Sequence, residues 1–422
     1  MAVAPKQFVY SEVARKLRTP TYRDGLTIAF VSTYPPQECG IATYTQDLIH
    51  ALEMHGCIKR ATVVAVSDGA QAYDHHVNFV IRKNSRKDYA LAAEFLNDSD
   101  VDIVNIQHEF GIFGGEDGEF VLELYKGLKK PIVTTLHTIL YNVDSSKRRI
   151  TQLMAQHSKK LIVMNSIAFW LLSWHYGIDA ANVALIYHGA PDIPFGLKEE
   201  AKRELNLSGK IVLSTFGLIN RGKGIEYAIQ AMSQIVKHYP QAIYLIIGRT
   251  HPNVVRYEGE SYRMELEELV RKLGLSEHVR FVNKYLTKGE IIRYLCASDI
   301  YICPYTSLNQ IVSGTLAYAV AAGKAIISTP SLYAQEVLAE GRGLLCEPCN
   351  PESISEKVIY LLSNPRELEA LERRAYRFGR QMTWQAVAWD HERLFREVVA
   401  YSYTHQAYPS LSDSLHIRAA KL

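Results

Sequence analysis

Residues 210–232 read KIVLSTFGLINRGKGIEYAIQAM. The apolar run 211–213 leads into a short loop, after which Ile225, Ala228, Ile229, Met232 and Ile235 recur at the spacing of one helix face. A buried strand therefore feeds a loop and a helix start. The loop carries Gly217, Gly222 and Gly224 together with Arg221 and Lys223. Backbone N–H groups, a helix N-terminus and two fixed cations could converge there on one anion, above all a diphosphate. An ordinary strand-to-helix turn with solvated charges would have the same letters.

The same alternation starts much earlier. Apolar runs at 26–31, 61–66, 77–81, 101–106, 132–136, 161–164 and 183–187 are separated by loops or helical patterns, such as Ile41, Tyr44, Leu48, Ala51 and Leu52 after the first. Strand, helix, strand with short connections means a parallel sheet covered on both faces. Polar residues stand at the strand ends: Gln107, His108 and Glu109 after one, His137 and Thr138 after another, His188 and Gly189 after a third. In a doubly wound sheet such residues face one crevice, although each histidine singly would also suit a structural role. Pro191, Pro194 and Gly196 interrupt the pattern, and a second set of runs follows at 211–213, 242–247, 279–282, 299–303, 325–328 and 344–346. From Pro351 onward only helical patterns remain, closing with Trp384, Val387, Ala388, Phe395, Val398 and Val399.

Composition narrows the class. With 422 residues, 48% hydrophobic and 22% charged, the chain has material for more than one core. A net charge of +3 does not indicate non-specific nucleic-acid binding. No apolar run approaches the ~20 residues of a membrane helix, and the basic, polar start lacks the apolar core of a signal peptide, so a cytoplasmic protein is expected. The cysteines, Cys39, Cys57, Cys296, Cys303, Cys346 and Cys349, lie mostly in apolar stretches, as reduced thiols do. Cys346 and Cys349 have the spacing of a metal knuckle without its second half. Asp98, Asp100 and Asp102 offer the letters of an Asp-x-Asp metal site, but they precede a buried run and fit a helix-to-strand loop; no metal or other cofactor is expected.

Two Rossmann-like domains with a glycine-rich basic loop opening the second resemble the GT-B architecture of nucleotide-sugar glycosyltransferases. The order of local motifs is similar to retaining glycosyltransferase family 4 over residues 26–399. The resemblance implies an arm at 1–24, an acceptor domain at 25–190, a donor domain at 191–378, a helix returning to the first domain at 379–403 and a tail at 404–422. Glu38-Cys39-Gly40-Ile41-Ala42 stands where the family's first loop approaches the donor phosphates, which gives Gly40 a donor-binding role. His137 in Thr135-Leu136-His137-Thr138 matches the family's histidine beside the reacting sugar. Gly217, Asn220, Gly222 and Lys223 match the diphosphate clamp, and Met382-Thr383-Trp384 the segment that crosses back.

The pattern departs from the family in two places. Leu218 stands where the clamp arginine usually follows the first glycine, so that role passes to Arg221. The family's glutamate pair would fall at Gln310 and Tyr318, neither an acid. Ser307, Gln310, Ser313 and Gly314 are expected to bind the donor, and His108 and Glu109 the acceptor. The resemblance implies front-face transfer of a hexose, mannose from GDP-mannose or glucose from UDP-glucose, to a hydroxyl of a sugar or glycoside, with retained configuration and without a metal. Alternatives are a disaccharide phosphorylase on the same fold and a non-catalytic nucleotide- or sugar-binding partner.

Overall fold

A computed structural model describes residues 25–407, so the expected arm at 1–24 and the residues after 407 lie outside the described chain. Seven parallel strands form the first sheet: β1 (Thr27–Ser32), β2 (Arg60–Ser67), β3 (Val77–Arg82), β4 (Ile103–His108), β5 (Ile132–Leu136), β6 (Lys160–Val163) and β7 (Val183–Leu185). Their order is β3-β2-β1-β4-β5-β6-β7. The second sheet holds β8 (Ile211–Phe216), β9 (Ala242–Ile247), β10 (Val279–Val282), β11 (Ile300–Cys303), β12 (Ala325–Ser328) and β13 (Leu344–Leu345), in the order β10-β9-β8-β11-β12-β13. Every apolar run marked in the sequence is a strand. Strands β1, β4, β5, β9 and β12 are buried from end to end, which is why β9 and β12 read as near-continuous apolar stretches, while β4 and β5 add buried polar residues such as Asn105, Gln107 and Thr135. Each sheet carries an apolar layer on both faces.

Strand order reverses between β1 and β4 in the first sheet and between β8 and β11 in the second. A crevice opens outside the carboxyl ends of the strands at such a switch point. The loops that follow these four strands are the glycine-bearing and polar segments singled out above, and they face one another across the cleft.

The chain joins the domains twice. Ala190 N donates to Met382 O at 2.7 Å, and Trp384 N donates back to Ala190 O at 2.9 Å. The helix Trp384–Ala407 then lays Val387, Ala388, Phe395, Val398 and Val399 into the core of the first domain beside Leu48 and Leu52. Phe395 is wholly buried, so its truncation to alanine costs about 3–5 kcal/mol. Gly189 is obligatory at the crossing, because a Cβ there would stand 2.1 Å from the Trp384 ring. The helix spans Trp384–Ala407 within the described residues.

Polar contacts also cross between the domains. Asp47, on the helix Gly40–Met54, accepts from Lys288 Nζ and from Tyr318 OH, the latter at 3.2 Å. Glu38 pairs with Arg249. Glu336 Oε2 accepts from Ser166 N and Ser166 Oγ, both at 2.8 Å, and so caps the helix Ser166–Tyr176 from the opposite domain.

Candidate active site

Between the two sheets lies a cavity of about 760 Å³. Its floor on the second domain depends on two glycines. Gly224 has φ +59°, and a Cβ there would sit 2.1 Å from Pro304 O; Gly248 has φ +129° and would place a Cβ 2.1 Å from Gly217 O. The loops after β8, β9 and β11 are thereby pressed together, and Thr306 N donates to Gly222 O at 3.1 Å to hold them. This packing turns Lys223 into the cavity. Its Nζ donates to Tyr305 OH at 2.8 Å and stands 4.3 Å from that ring's centroid, while Tyr305 OH also meets Thr315 Oγ1 at 2.7 Å. A Cβ on Gly217 would come within 3.7 Å of Lys223 Nζ, so the missing side chain leaves room above the ammonium.

Two helix N-termini, one from each domain, complete an anion-favouring wall. Gly40 and Ile41 begin the helix Gly40–Met54 and line the cavity, with Cys39 as its N-cap: Sγ accepts from Ala42 N at 3.3 Å. Gly314 and Thr315 begin the helix Gly314–Ala321 and line the cavity from the other side, capped by Ser313 Oγ, which accepts from Leu316 N at 3.3 Å. Each helix start presents unsatisfied N–H groups and the positive end of its dipole.

His137 enters from the end of β5 and is fixed by a buried polar ladder. Asn105 Nδ2 donates to Val133 O at 3.1 Å, which orients its Oδ1 to accept from Gln107 Nε2; Gln107 Oε1 then lies 2.8 Å from His137 Nε2. Because the ladder starts on a backbone carbonyl, the atom that Gln107 turns to His137 is Oε1, which can only accept, so the imidazole donates from Nε2 and keeps Nδ1 as an acceptor. Burial, with His188 and His108 nearby, lowers its pKa from 6.5 to about 3, so the ring is neutral at physiological pH. Tyr44 packs edge-on against both His137 and His188, at 4.8 and 5.1 Å. Glu109 lines the same wall; burial raises its carboxyl pKa even though its Oε2 accepts from Gly111 N at 2.8 Å.

The structure brings together Gly40, Glu109, His137, Gly217, Asn220, Lys223 and Gly314 around the cavity. It places other expected residues elsewhere. The Arg221 guanidinium lies outside the lining, held by Glu265 at 2.6 and 2.8 Å over the face of Tyr262. The tight turn Arg221–Lys223 gives the two cations different partners, Glu265 for Arg221 and Tyr305 for Lys223. His108 is wholly buried with neither ring nitrogen hydrogen-bonded, stacked 5.7 Å from Phe113, and reaches no acceptor space. Ser307 is exposed outside the lining, and Gln310 Nε2 is occupied by Val312 O at 3.0 Å. Ser313 serves as a helix cap, and Gly222 lies off the lining with its carbonyl on Thr306. The acids Asp100 and Asp102 sit at the amino end of β4, away from the cleft, bound to Arg60 and to Thr27 N.

Sequence reasoning passed over Arg249 and Asp47, both of which line the cavity. Arg249 follows β9 directly after Gly248, repeating the strand, glycine, cation order of the first loop, and its guanidinium lies 5.5 Å from the Tyr285 ring centroid. Asp47 had a signal too: an acid on the apolar stripe Tyr44, Leu48, Ala51, only 4% exposed.

Two facing parallel-sheet domains, strand-end loops at both switch points and a helix crossing back define the GT-B class. Sucrose-phosphate synthase of Thermosynechococcus elongatus shares this fold with a TM-score of 0.72 at 18% identity, covering 89% of this chain and 100% of that one. The HepE protein of Anabaena, solved in complex with UDP and glucose, gives 0.70 at 16% identity over 88% and 100% of the two chains. Residues 198–378 match the family model of glycosyl transferases group 1. The chain is 26% identical to spore coat protein SA of Bacillus subtilis over 196 residues, 45% of this chain and 50% of that protein. It spans about half the length of the curated relatives it matches. Among the described residues no helix is long and apolar enough to cross a membrane.

Proposed function

We propose that the protein is a cytoplasmic glycosyltransferase that moves a hexosyl group from a nucleoside diphosphate sugar to a hydroxyl of a sugar or glycoside acceptor, with retained anomeric configuration. The observation that carries this is the convergence of Lys223 and two helix N-termini, from opposite domains, on one cavity walled by a neutral, rigidly oriented His137. As the bond from the anomeric carbon to the diphosphate oxygen breaks, charge grows on the leaving phosphate. Lys223 and the N–H groups at Gly40 and Gly314 stabilise that charge in a partly dry site, where preorganised donors act most strongly. The acceptor oxygen bonds to the same face of the anomeric carbon and its proton passes to the departing phosphate oxygen. No carboxylate nucleophile is needed. His137, donating from Nε2 to Gln107, offers Nδ1 to a sugar hydroxyl. In this reading charge neutralisation falls to protein groups rather than to a metal; the engagement of Asp100 by Arg60 and of Asp102 by Thr27 N at the amino end of β4 supports it.

Thermal-shift screening against GDP, UDP and ADP and their sugars tests this, with GDP-mannose and UDP-glucose first; the latter is also suggested by the UDP and glucose held by HepE. Stabilisation by one nucleotide, followed by sugar transfer or slow donor hydrolysis with that donor, is the expected result. Phosphate-dependent cleavage of a disaccharide would instead make the protein a phosphorylase. Nucleotide binding with neither reaction would make it a binding partner.

A further inference from the structure

The helix Ser166–Tyr176 buries Ala168, Leu171, Leu172 and Tyr176 against the first sheet, yet its outer face is also apolar. Trp170 and Trp174 are 47% and 74% exposed and stack on each other with ring centroids 5.0 Å apart. Phe169 meets Trp170 edge-on at 5.2 Å, and the exposed Tyr141 extends the patch through His175 at 4.9 Å. A helix covering a sheet ordinarily turns a charged face to water. Here two of the chain's four tryptophans stand in that position. Between Asp144 and Asp179 the chain carries Lys147, Arg148, Arg149, Lys159 and Lys160 and no aspartate or glutamate. The neighbouring helix Ser145–His157 is tied alongside by Arg148 Nη1 to His175 O at 2.6 Å and by Gln152 Nε2 to Tyr176 O at 2.8 Å. Lys147 is neutralised by Asp117 and Asp144, but Arg149 and Lys159 are exposed and form no ion pair among the described residues.

We infer that this face of the first domain seats the protein on the surface of an anionic lipid bilayer. Indole rings prefer the headgroup region, where an apolar body meets a wet edge, and the unpaired cations on the adjoining helix and just after it are drawn to anionic headgroups. The segment leading to the patch starts at the cleft: Thr138 lines the cavity, and Tyr141 follows three residues later, at most about 11 Å of chain away. The bilayer would therefore lie beside the mouth of the cleft. Nothing in the seating depends on the transferase reading, since it is tested with the protein alone.

The test is flotation of the full chain with vesicles of phosphatidylcholine, with and without phosphatidylglycerol. Binding to the anionic vesicles, weakened by salt, is expected. The double substitution Trp170→Ser/Trp174→Ser should lose about tenfold or more of that binding with an unchanged melting temperature, because both rings are exposed. Arg149→Glu/Lys159→Glu should act in the same direction. Trp389→Ser, at an exposed tryptophan outside the patch, should change nothing. Absence of vesicle binding, or binding indifferent to the two indoles, overturns the inference. So does a self-associating wild type that the Trp170/Trp174 variant renders monomeric, since a second copy would then cover the face.

Discussion

Replacing Lys223 by alanine separates an electrostatic role from a structural one, because the geometry predicts a large effect on rate and almost none on folding. The ammonium is one of Tyr305 OH's partners, but that hydroxyl keeps Thr315 Oγ1 at 2.7 Å and Ser313 Oγ at 3.2 Å after the lysine is gone. No buried group is orphaned, so the loss in stability stays below about 1 kcal/mol. The transition state, by contrast, loses a preorganised cation aimed at the growing phosphate charge, a contact worth roughly 2–4 kcal/mol. That corresponds to a fall in kcat/KM of about 30- to 1,000-fold. The assay is release of nucleoside diphosphate from the donor found by thermal shift, paired with urea unfolding of both proteins. Arg221→Ala is the control: its guanidinium is held by Glu265 outside the cavity, and turnover should remain within about threefold of wild type. A Lys223→Ala enzyme within threefold of wild type would refute the assignment, and so would an Arg221→Ala enzyme that loses more.

His137→Ala should lower turnover by about 100-fold while cooperative unfolding persists, since the ring lines the cavity and Gln107 can turn to water; a collapse of the melting temperature would make the ring structural instead. Burial lowers the pKa values of His108, His137, His188 and His391 from 6.5 to about 3, 3, 4 and 4. The unfolded chain takes up those protons below about pH 6.5 and the native state does not, so this stability is complete above 6.5 and drains as pH falls toward 4, by about 1.4 kcal/mol per pH unit for each histidine. His108→Phe keeps the aromatic stack and removes one such proton, and should therefore gain more stability over wild type at pH 5 than at pH 8 by urea titration; an equal change at both values would contradict it. Asp47→Ala removes the acceptor shared by Lys288 and Tyr318 and should cost about 1–3 kcal/mol. A double-mutant cycle with Lys288→Met should return a nonzero coupling, and strict additivity would show that the contact is idle.

The strands were legible because a fully covered parallel sheet demands unbroken apolar runs, and runs such as 242–247 leave little else for the chain to be. The loops at the switch points were legible for the same reason, since they begin where the runs stop. Side-chain direction was not. In Asn220-Arg221-Gly222-Lys223 the cations are two residues apart, and only the turn geometry, set by Gly224 against Pro304 O, decides which of them faces the cleft. His108 and His137 both follow strand runs, yet one side chain falls on the buried face and the other on the open end; a shift of one residue in the strand exit reverses that. Arg249 and Asp47 each had a local signal, but the partners they meet, Glu38 and the Lys288/Tyr318 pair, depend on how the domains face each other.

That facing also gives meaning to the two departures from the family pattern. Leu218 supplies no cation, and Arg221 turns away, but Arg249 reaches the cavity from the neighbouring strand end, its charge presently met by Glu38 of the opposite domain. Tyr318 supplies no carboxylate, but its hydroxyl donates to one: Asp47, again from the opposite domain. In the first place the cation belongs to the second domain and is neutralised from the first; in the second the acid itself comes from the first domain. Separating the domains would leave Lys288 and Tyr318 without Asp47, and Arg249 without Glu38. The acid at the Tyr318 end of the cleft is thus supplied by the way the two domains meet, so the shape of this site and the approach of its two walls are physically one variable.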